Sequence, residues 1–94
     1  MLNDALQYAE THRDQFLSEL KEFLSIPSIS AVAEHQPDLQ HAAQWLADHF
    51  TSIGLHNAKV HQTDGHPIVT ADWLHAGADK PTVLIYGHYD VQPP

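Results

Sequence analysis

The feature that most constrains the fold of this chain is an uninterrupted apolar run, TVLIYG, at residues 82–87. Polar residues do not alternate with apolar ones in this run, so a strand formed by it would be covered on both faces. Strands of that kind lie at the centre of α/β sheets, with helices on both sides and a neighbouring strand along each edge. The run therefore predicts a buried strand within an α/β fold.

Two helices are predicted before this run. The first spans residues 3–25, with Asn3 as its N-cap, and Pro27 forbids its continuation beyond about Ser25. Its apolar stripe has helical spacing and consists of Leu6, Ala9, Phe16, Leu17, Leu20, Phe23 and Leu24. The residues that follow, up to the second helix, form a connector with no clean periodicity.

The second helix is predicted to begin at Pro37, whose fixed φ suits the first helical turn. Gly54 is expected just beyond its last turn, with Leu55 packing back as in a Schellman ending. The buried face of this helix is predicted to contain Leu39, Ala42, Ala43, Leu46, Phe50 and Ile53.

A β-hairpin is predicted after the second helix. Residues 58–63 (AKVHQT) and 66–74 (HPIVTADWL) have the composition of strands, and Asp64-Gly65 between them is a strong signal for a tight turn. A metal-binding loop at Asp64-Gly65-His66 is the alternative, and the turn is the better account. Two helices and one hairpin cannot surround a central strand at residues 82–87, so we expect the chain to be the beginning of a larger α/β domain.

The composition excludes several classes of function. The 94 residues carry a net charge of −8, which argues against nucleic acid or an anionic membrane surface as a partner. Cysteine is absent, so no disulfide or thiolate metal site is possible. The sequence contains neither a membrane-spanning run nor a basic secretory leader, and a cytoplasmic location is expected.

A candidate metal ligand follows the predicted central strand. His88 and Asp90 are one residue apart on an extended backbone, which places both side chains on the same side of the chain. An imidazole can bind a metal through one ring nitrogen while a neighbouring carboxylate orients it through the other. Ligands of open α/β sheets also collect beyond the carboxyl ends of strands. An H-x-D motif alone is weak, and a loop histidine bonded to a nearby acid is the alternative.

The stretch VLIYGHYDVQPP, at residues 83–94, resembles the first metal-site motif of the M20 metallopeptidases, the carnosinase-related zinc enzymes that include dipeptidases and carboxypeptidases. Upstream, FLSIPSIS, AAQWLADHFTSIGL and TDGHPIVTADW resemble the family's first connector, second helix and following hairpin. The resemblance covers nearly the whole chain but only the N-terminal part of a typical member. It implies that residues 1–94 are the N-terminal portion of an M20-type catalytic domain, without its lid domain.

This resemblance assigns two residues of the chain. It implies that His88 binds one of two zinc ions and that Asp90 orients or polarises this histidine as part of the catalytic machinery. The family's other ligands and its general base lie later in such chains, so it also implies that these residues alone are inactive. The expected reaction of the complete enzyme is zinc-dependent hydrolysis of dipeptides or related amides.

Two other interpretations remain open. In one, the chain is a non-catalytic module that covers its open strand by self-association, as a dimer, or by pairing with another chain. In the other, its nine histidines bind metals loosely at the surface, with no special dependence on His88.

Overall fold

The first helical segment folds as two helices rather than one. The structure, a computed structural model, describes residues 1–94 and contains α1 at Leu2–Thr11 and α2 at Arg13–Leu24. His12 lies between them with φ −101° and ψ 14°, stacks on Tyr8, and donates from Nδ1 to the Tyr8 carbonyl at 2.9 Å. The same carbonyl also accepts from the His12 N–H at 3.0 Å, so the backbone and the ring of His12 share one acceptor where the helix breaks. The prediction of one continuous helix is therefore wrong at His12.

Of the two helix ends predicted for this segment, the structure confirms only the C-terminal one. Its N-cap is Met1, without a side-chain cap bond, so the prediction of Asn3 as N-cap is wrong. The C-cap of α2 is Ser25, which confirms the end predicted from Pro27. No residue of α1 or α2 is buried, and Leu20 and Leu24 of the apolar stripe are 50% and 58% exposed.

The third helix, α3, spans Gln36–Ser52 after a 3-10 turn at Ala33–His35. Pro37 lies in its first turn, as predicted. Gly54 has φ 97°, its N–H donates to the Thr51 carbonyl, and the Leu55 N–H donates to the Phe50 carbonyl at 2.9 Å. This pair of bonds is a Schellman motif, and it confirms the predicted ending.

The buried face of α3 differs in part from the prediction. Leu39, Ala42 and Ala43 are buried as expected, and Ala47 is buried with them. Ile53 is 58% exposed, so its predicted burial is wrong. It is the C-cap residue and lies beyond the turns of α3 that pack on the sheet.

The hairpin consists of β1 at His56–His61 and β2 at Ile68–Asp72, which pair antiparallel and pack on α3. His61 pairs with Ile68, so the intervening loop contains residues 62–67, and the predicted two-residue turn at Asp64-Gly65 is wrong. The hydroxyl of Thr63 stabilises the longer loop, because it accepts from the Gly65 N–H at 3.0 Å and donates to the His66 carbonyl at 2.8 Å. Side-chain turns of this type replace backbone turn bonds.

The predicted central strand at residues 82–87 does not form. Val83, Leu84, Ile85 and Tyr86 are 80%, 91%, 89% and 90% exposed, and the run has no strand partner. The physical reason is that β1 and β2 pair with each other and neither runs beside it. The helices and the two-stranded sheet nevertheless form an α/β fold, as predicted from the sequence.

The core lies where the connector between α2 and α3, residues 25–35, meets α3. Its buried apolar side chains are Ile26, Ile29, Leu39, Ala42, Ala43 and Ala47. The radius of gyration is 15.5 Å, whereas about 12–13 Å is typical of a compact domain of this length. The 94 residues are thus extended around a small core. None of the helices has both the length and the apolar character that a membrane span requires.

Candidate functional site

His88 and Asp90 contact each other directly. The Nδ1 of His88 donates to Oδ1 of Asp90 at 2.8 Å and lies 3.2 Å from the Asp90 carbonyl oxygen. In a neutral imidazole with its proton on Nδ1, Nε2 keeps its lone pair. The His88 side chain is 75% exposed, and Nε2 makes no hydrogen bond within the chain. This nitrogen is therefore free to bind a metal or another electrophile.

Ser30 holds the second oxygen of the same carboxylate. Its hydroxyl donates to Oδ2 of Asp90 at 2.5 Å, across sixty positions of sequence. The hydrogen bonds from Ser30 and then from His88 stabilise the ionised form and lower the pKa of Asp90 from its ordinary value. Asp90 is thus a carboxylate at neutral pH, with each oxygen committed to a different partner.

The connector fastens the backbone on both sides of Asp90. The buried hydroxyl of Ser28 donates to the Tyr89 carbonyl at 2.8 Å, and the Val91 N–H donates to the Ser28 carbonyl at 2.9 Å. Ile29 and Val91 form an isolated parallel bridge. Residues 28–30 and 89–91 therefore lie side by side, and this places the Ser30 hydroxyl at the Asp90 carboxylate.

The hairpin loop adds two more bonds to this region. The Tyr89 hydroxyl donates to the Pro67 carbonyl at 2.6 Å, and the His66 Nε2 donates to the Ser30 carbonyl at 3.0 Å. Partial burial, and secondarily the negative charge of Asp90, raises the pKa of Tyr89 above 10.0. The phenol is therefore neutral under physiological conditions and remains a donor.

These residues fit one metal ligand rather than a whole metal site. A histidine whose second nitrogen is held by a carboxylate is the usual arrangement of a metal-binding imidazole. No group of three or more histidine, aspartate or glutamate side chains in the chain is arranged to hold a metal ion. Catalytic zinc typically has three protein ligands and a water. The chain therefore offers a pre-oriented ligand, and a complete centre requires ligands that these residues do not include.

The other candidates from the sequence, Asp64 and His66, do not form a site together. Asp64 makes no hydrogen bond, and His66 is engaged with the Ser30 backbone, so the two do not form a metal loop. Ser28 and Ser30 both contact the site, and neither was predicted from the sequence to do so. The available signal was the alternation Ser-Ile-Ser at 28–30, which is typical of an extended segment with two hydroxyls on one side.

Comparisons with known proteins show which proteins the chain is similar to. No protein-family model matches the chain. It is 35% identical over 101 residues to a Cys-Gly metallodipeptidase of Schizosaccharomyces pombe, and 31% identical over 105 residues to a human Beta-Ala-His dipeptidase. The alignments include 98% and 99% of this chain but 21% and 20% of those proteins.

A solved structure of the dipeptidase Dug1p from Saccharomyces cerevisiae superimposes with a TM-score of 0.89 at 26% identity, covering 100% of this chain and 22% of Dug1p. The α/β fold is thereby confirmed, and so is the resemblance to metallodipeptidases noted from the sequence. The chain spans about a fifth of the length of the relatives it matches.

Proposed function

We infer that this chain is the N-terminal portion of an M20-type catalytic domain, because it is similar to metallodipeptidases over about one fifth of their length. We propose that it serves zinc-dependent hydrolysis of dipeptides by a longer polypeptide. In this proposal His88 is a direct zinc ligand and Asp90 is the carboxylate that orients it. The 94 residues alone are inactive, because they hold one ligand where a catalytic zinc needs several.

The observation that carries this proposal is the hydrogen bond of 2.8 Å between His88 Nδ1 and Asp90 Oδ1. It fixes the imidazole with its proton on the nitrogen that faces the protein. The exposed Nε2 is then unprotonated, as a metal ligand must be. A surface histidine without such a partner would rotate freely, and nothing in the protein would hold its proton on Nδ1.

The contacts of His88 and Asp90 indicate a different role for each residue. A bound zinc would lower the pKa of a water ligand and polarise the substrate carbonyl. His88 would supply one ligand through Nε2, and Asp90 holds the imidazole proton on Nδ1. Both oxygens of Asp90 are already occupied by Ser30 and His88, so it is poorly placed to take a proton from water. The general base must therefore be another residue.

The test is His88→Ala in the whole protein. Hydrolysis of Cys-Gly and of β-Ala-His, the dipeptides in the names of the relatives, is measured with zinc supplied in excess and with competition for zinc by a chelator. We expect hydrolysis to be lost and zinc affinity to fall. His41→Ala is the matched control, because His41 is exposed on α3 and contacts no part of the site. Full activity of His88→Ala would overturn the proposal.

A second candidate function is favoured by the exposed run Val83–Tyr86. Four consecutive apolar side chains between 80% and 91% exposed, with open backbone edges, form a template for pairing with another strand. On this reading the chain is a self-associating or partner-binding module. Light scattering over a range of concentrations should show dimers that Leu84→Lys dissociates. Leu74→Lys, at a 64% exposed position outside the run, is the control, and a monomer at all concentrations would contradict this reading.

A further inference from the structure

We propose that Ser30 is a positioning residue of this site, whose hydroxyl holds the Asp90 carboxylate so that His88 presents an unprotonated Nε2 outward. The role in metal binding rests on the proposed function, since it takes His88 as the ligand. The effect of Ser30 on the imidazole does not depend on metal. It can be measured in the metal-free protein.

The geometry of the carboxylate is the first support. Ser30 donates to Oδ2 at 2.5 Å and His88 donates to Oδ1 at 2.8 Å, so the two donors fix the carboxylate plane from opposite sides. The Asp90 side chain is 40% exposed. Without the serine, water can bind Oδ2 and the side chain can turn away from His88. The serine therefore keeps this exposed carboxylate aligned with the imidazole.

The placement of Ser30 itself is the second support. Its carbonyl accepts from His66 Nε2 at 3.0 Å, and the neighbouring Ser28 bonds to the backbone on both sides of Asp90. The hydroxyl therefore reaches Oδ2 from a backbone that is fixed at several points. A hydroxyl has one proton to donate, and here it is committed to the carboxylate.

The consequence appears in the tautomer of the imidazole. The hydrogen-bond partner of a histidine decides which ring nitrogen carries the proton, because an acceptor such as a carboxylate holds the proton on the nitrogen that faces it. With Asp90 held in place, Nδ1 keeps the proton and Nε2 keeps its lone pair. When the carboxylate is released, the population of the Nδ1–H tautomer of His88 falls. A metal then binds only the fraction of molecules in which Nε2 is unprotonated.

The first experiment is nitrogen-15 NMR of the His88 side chain in the metal-free protein, above the pH at which the ring is protonated. We expect the Nδ1–H tautomer to dominate in the natural sequence and to lose its dominance in Ser30→Ala. Ser30→Thr keeps the hydroxyl and should restore it. Ser18→Ala is the control, because Ser18 is exposed on α2 and contacts nothing in the site.

The second experiment measures zinc affinity of the same variants by competition with a chelator. Loss of such outer partners typically weakens metal binding by about 10–100-fold, and we expect a loss of about 10-fold for Ser30→Ala. If Ser30→Ala loses its native circular dichroism spectrum, Ser30→Cys replaces it, since a thiol keeps the shape but donates weakly.

The outcomes separate this inference from the proposed function. If His88→Ala abolishes zinc binding while Ser30→Ala keeps both the tautomer and the affinity of the natural protein, the positioning role is wrong and the proposed function stands. If Ser30→Ala changes the tautomer but His88→Ala binds zinc normally, the positioning role stands and the proposed function fails. A Ser30→Thr variant that behaves like Ser30→Ala would also overturn the role of the hydroxyl.

Discussion

Tyr89 connects the segment that carries the candidate site to the hairpin loop, and its removal should have a measurable cost. The Tyr89 hydroxyl donates to the carbonyl of Pro67 at 2.6 Å, and Pro67 is one of the few buried residues. Tyr89→Phe keeps the aromatic ring in place and deletes only the donor. The buried carbonyl then loses its partner.

The magnitude follows from the type of bond. An intramolecular hydrogen bond contributes about 0.5–1.5 kcal/mol net, and an unpaired buried acceptor adds to the loss. Tyr89 is half-buried, so water can partly replace the donor, and we expect Tyr89→Phe to lower the free energy of unfolding by about 1 kcal/mol. With a urea m-value of about 1–3 kcal/mol/M, the midpoint should fall by about 0.3–1 M while m stays unchanged.

The raised pKa of Tyr89 adds a dependence on pH. Burial, and then the charge of Asp90, raises this pKa above its ordinary value of 10.0, so the folded state favours the neutral phenol. The stabilisation is fully present below pH 10.0 and is lost as the pH rises through the pKa of the folded state. The natural protein should therefore lose stability at alkaline pH more steeply than Tyr89→Phe.

The assay is urea denaturation followed by circular dichroism, at neutral pH and at several values from pH 9 upward. Tyr86→Phe is the matched control, because Tyr86 lies in the same segment, is 90% exposed and makes no hydrogen bond. It should unfold like the natural protein. Equal midpoints for Tyr89→Phe and Tyr86→Phe at neutral pH would refute the argument that this hydroxyl anchors the segment.

Three further predictions concern the core, a helix end and the site. Leu39→Ala, at a position 1% exposed, should lower the free energy of unfolding by about 2–5 kcal/mol in the same denaturation assay. Gly54→Ala should lower the free energy of unfolding by about 1–2 kcal/mol, because φ is 97° at this position. Gly87→Ala is the control and should lower it less, because both positions have open space around the new Cβ but only Gly54 has a positive φ. Ser30→Ala should raise the pKa of Asp90 toward its ordinary value, measured by NMR titration of the carboxyl carbon, and an unchanged pKa would contradict the assigned cause.

Local signals in the sequence predicted the helices and their ends better than the strands. Pro27 and Gly54 act through backbone restrictions that hold in any tertiary context, and both predicted endings are confirmed. The apolar run at 82–87 predicted a strand only on the condition that neighbours exist. None runs beside it, so its propensity has no ladder to join. The break at His12 was missed because no proline or glycine marks it in the sequence.

The candidate site was predicted only in part, because the sequence reveals contacts between neighbouring residues but not contacts between distant ones. His88 and Asp90 are two positions apart, so period-two geometry was sufficient to place them together, and the structure shows them in contact. Their roles as ligand and orienting carboxylate stay predictions. Ser30 contacts Asp90 across sixty positions, and no local spacing in a single sequence reveals a contact of that range. The serine alternation at 28–30 carries no information about which segment lies beside it.

The two ends of the segment 83–91 differ in what supports them, and this bears on how the site is assembled. Val83 to Tyr86 are exposed and unpaired, whereas Tyr89 to Val91 are fixed by bonds to Ser28, Ser30 and the hairpin loop. The contact between His88 and Asp90 therefore does not need any strand beside 83–86. If His88 binds zinc as proposed, a polypeptide that covers that run adds ligands to an imidazole that is already oriented. The connector, rather than the sheet, then sets the first element of the site.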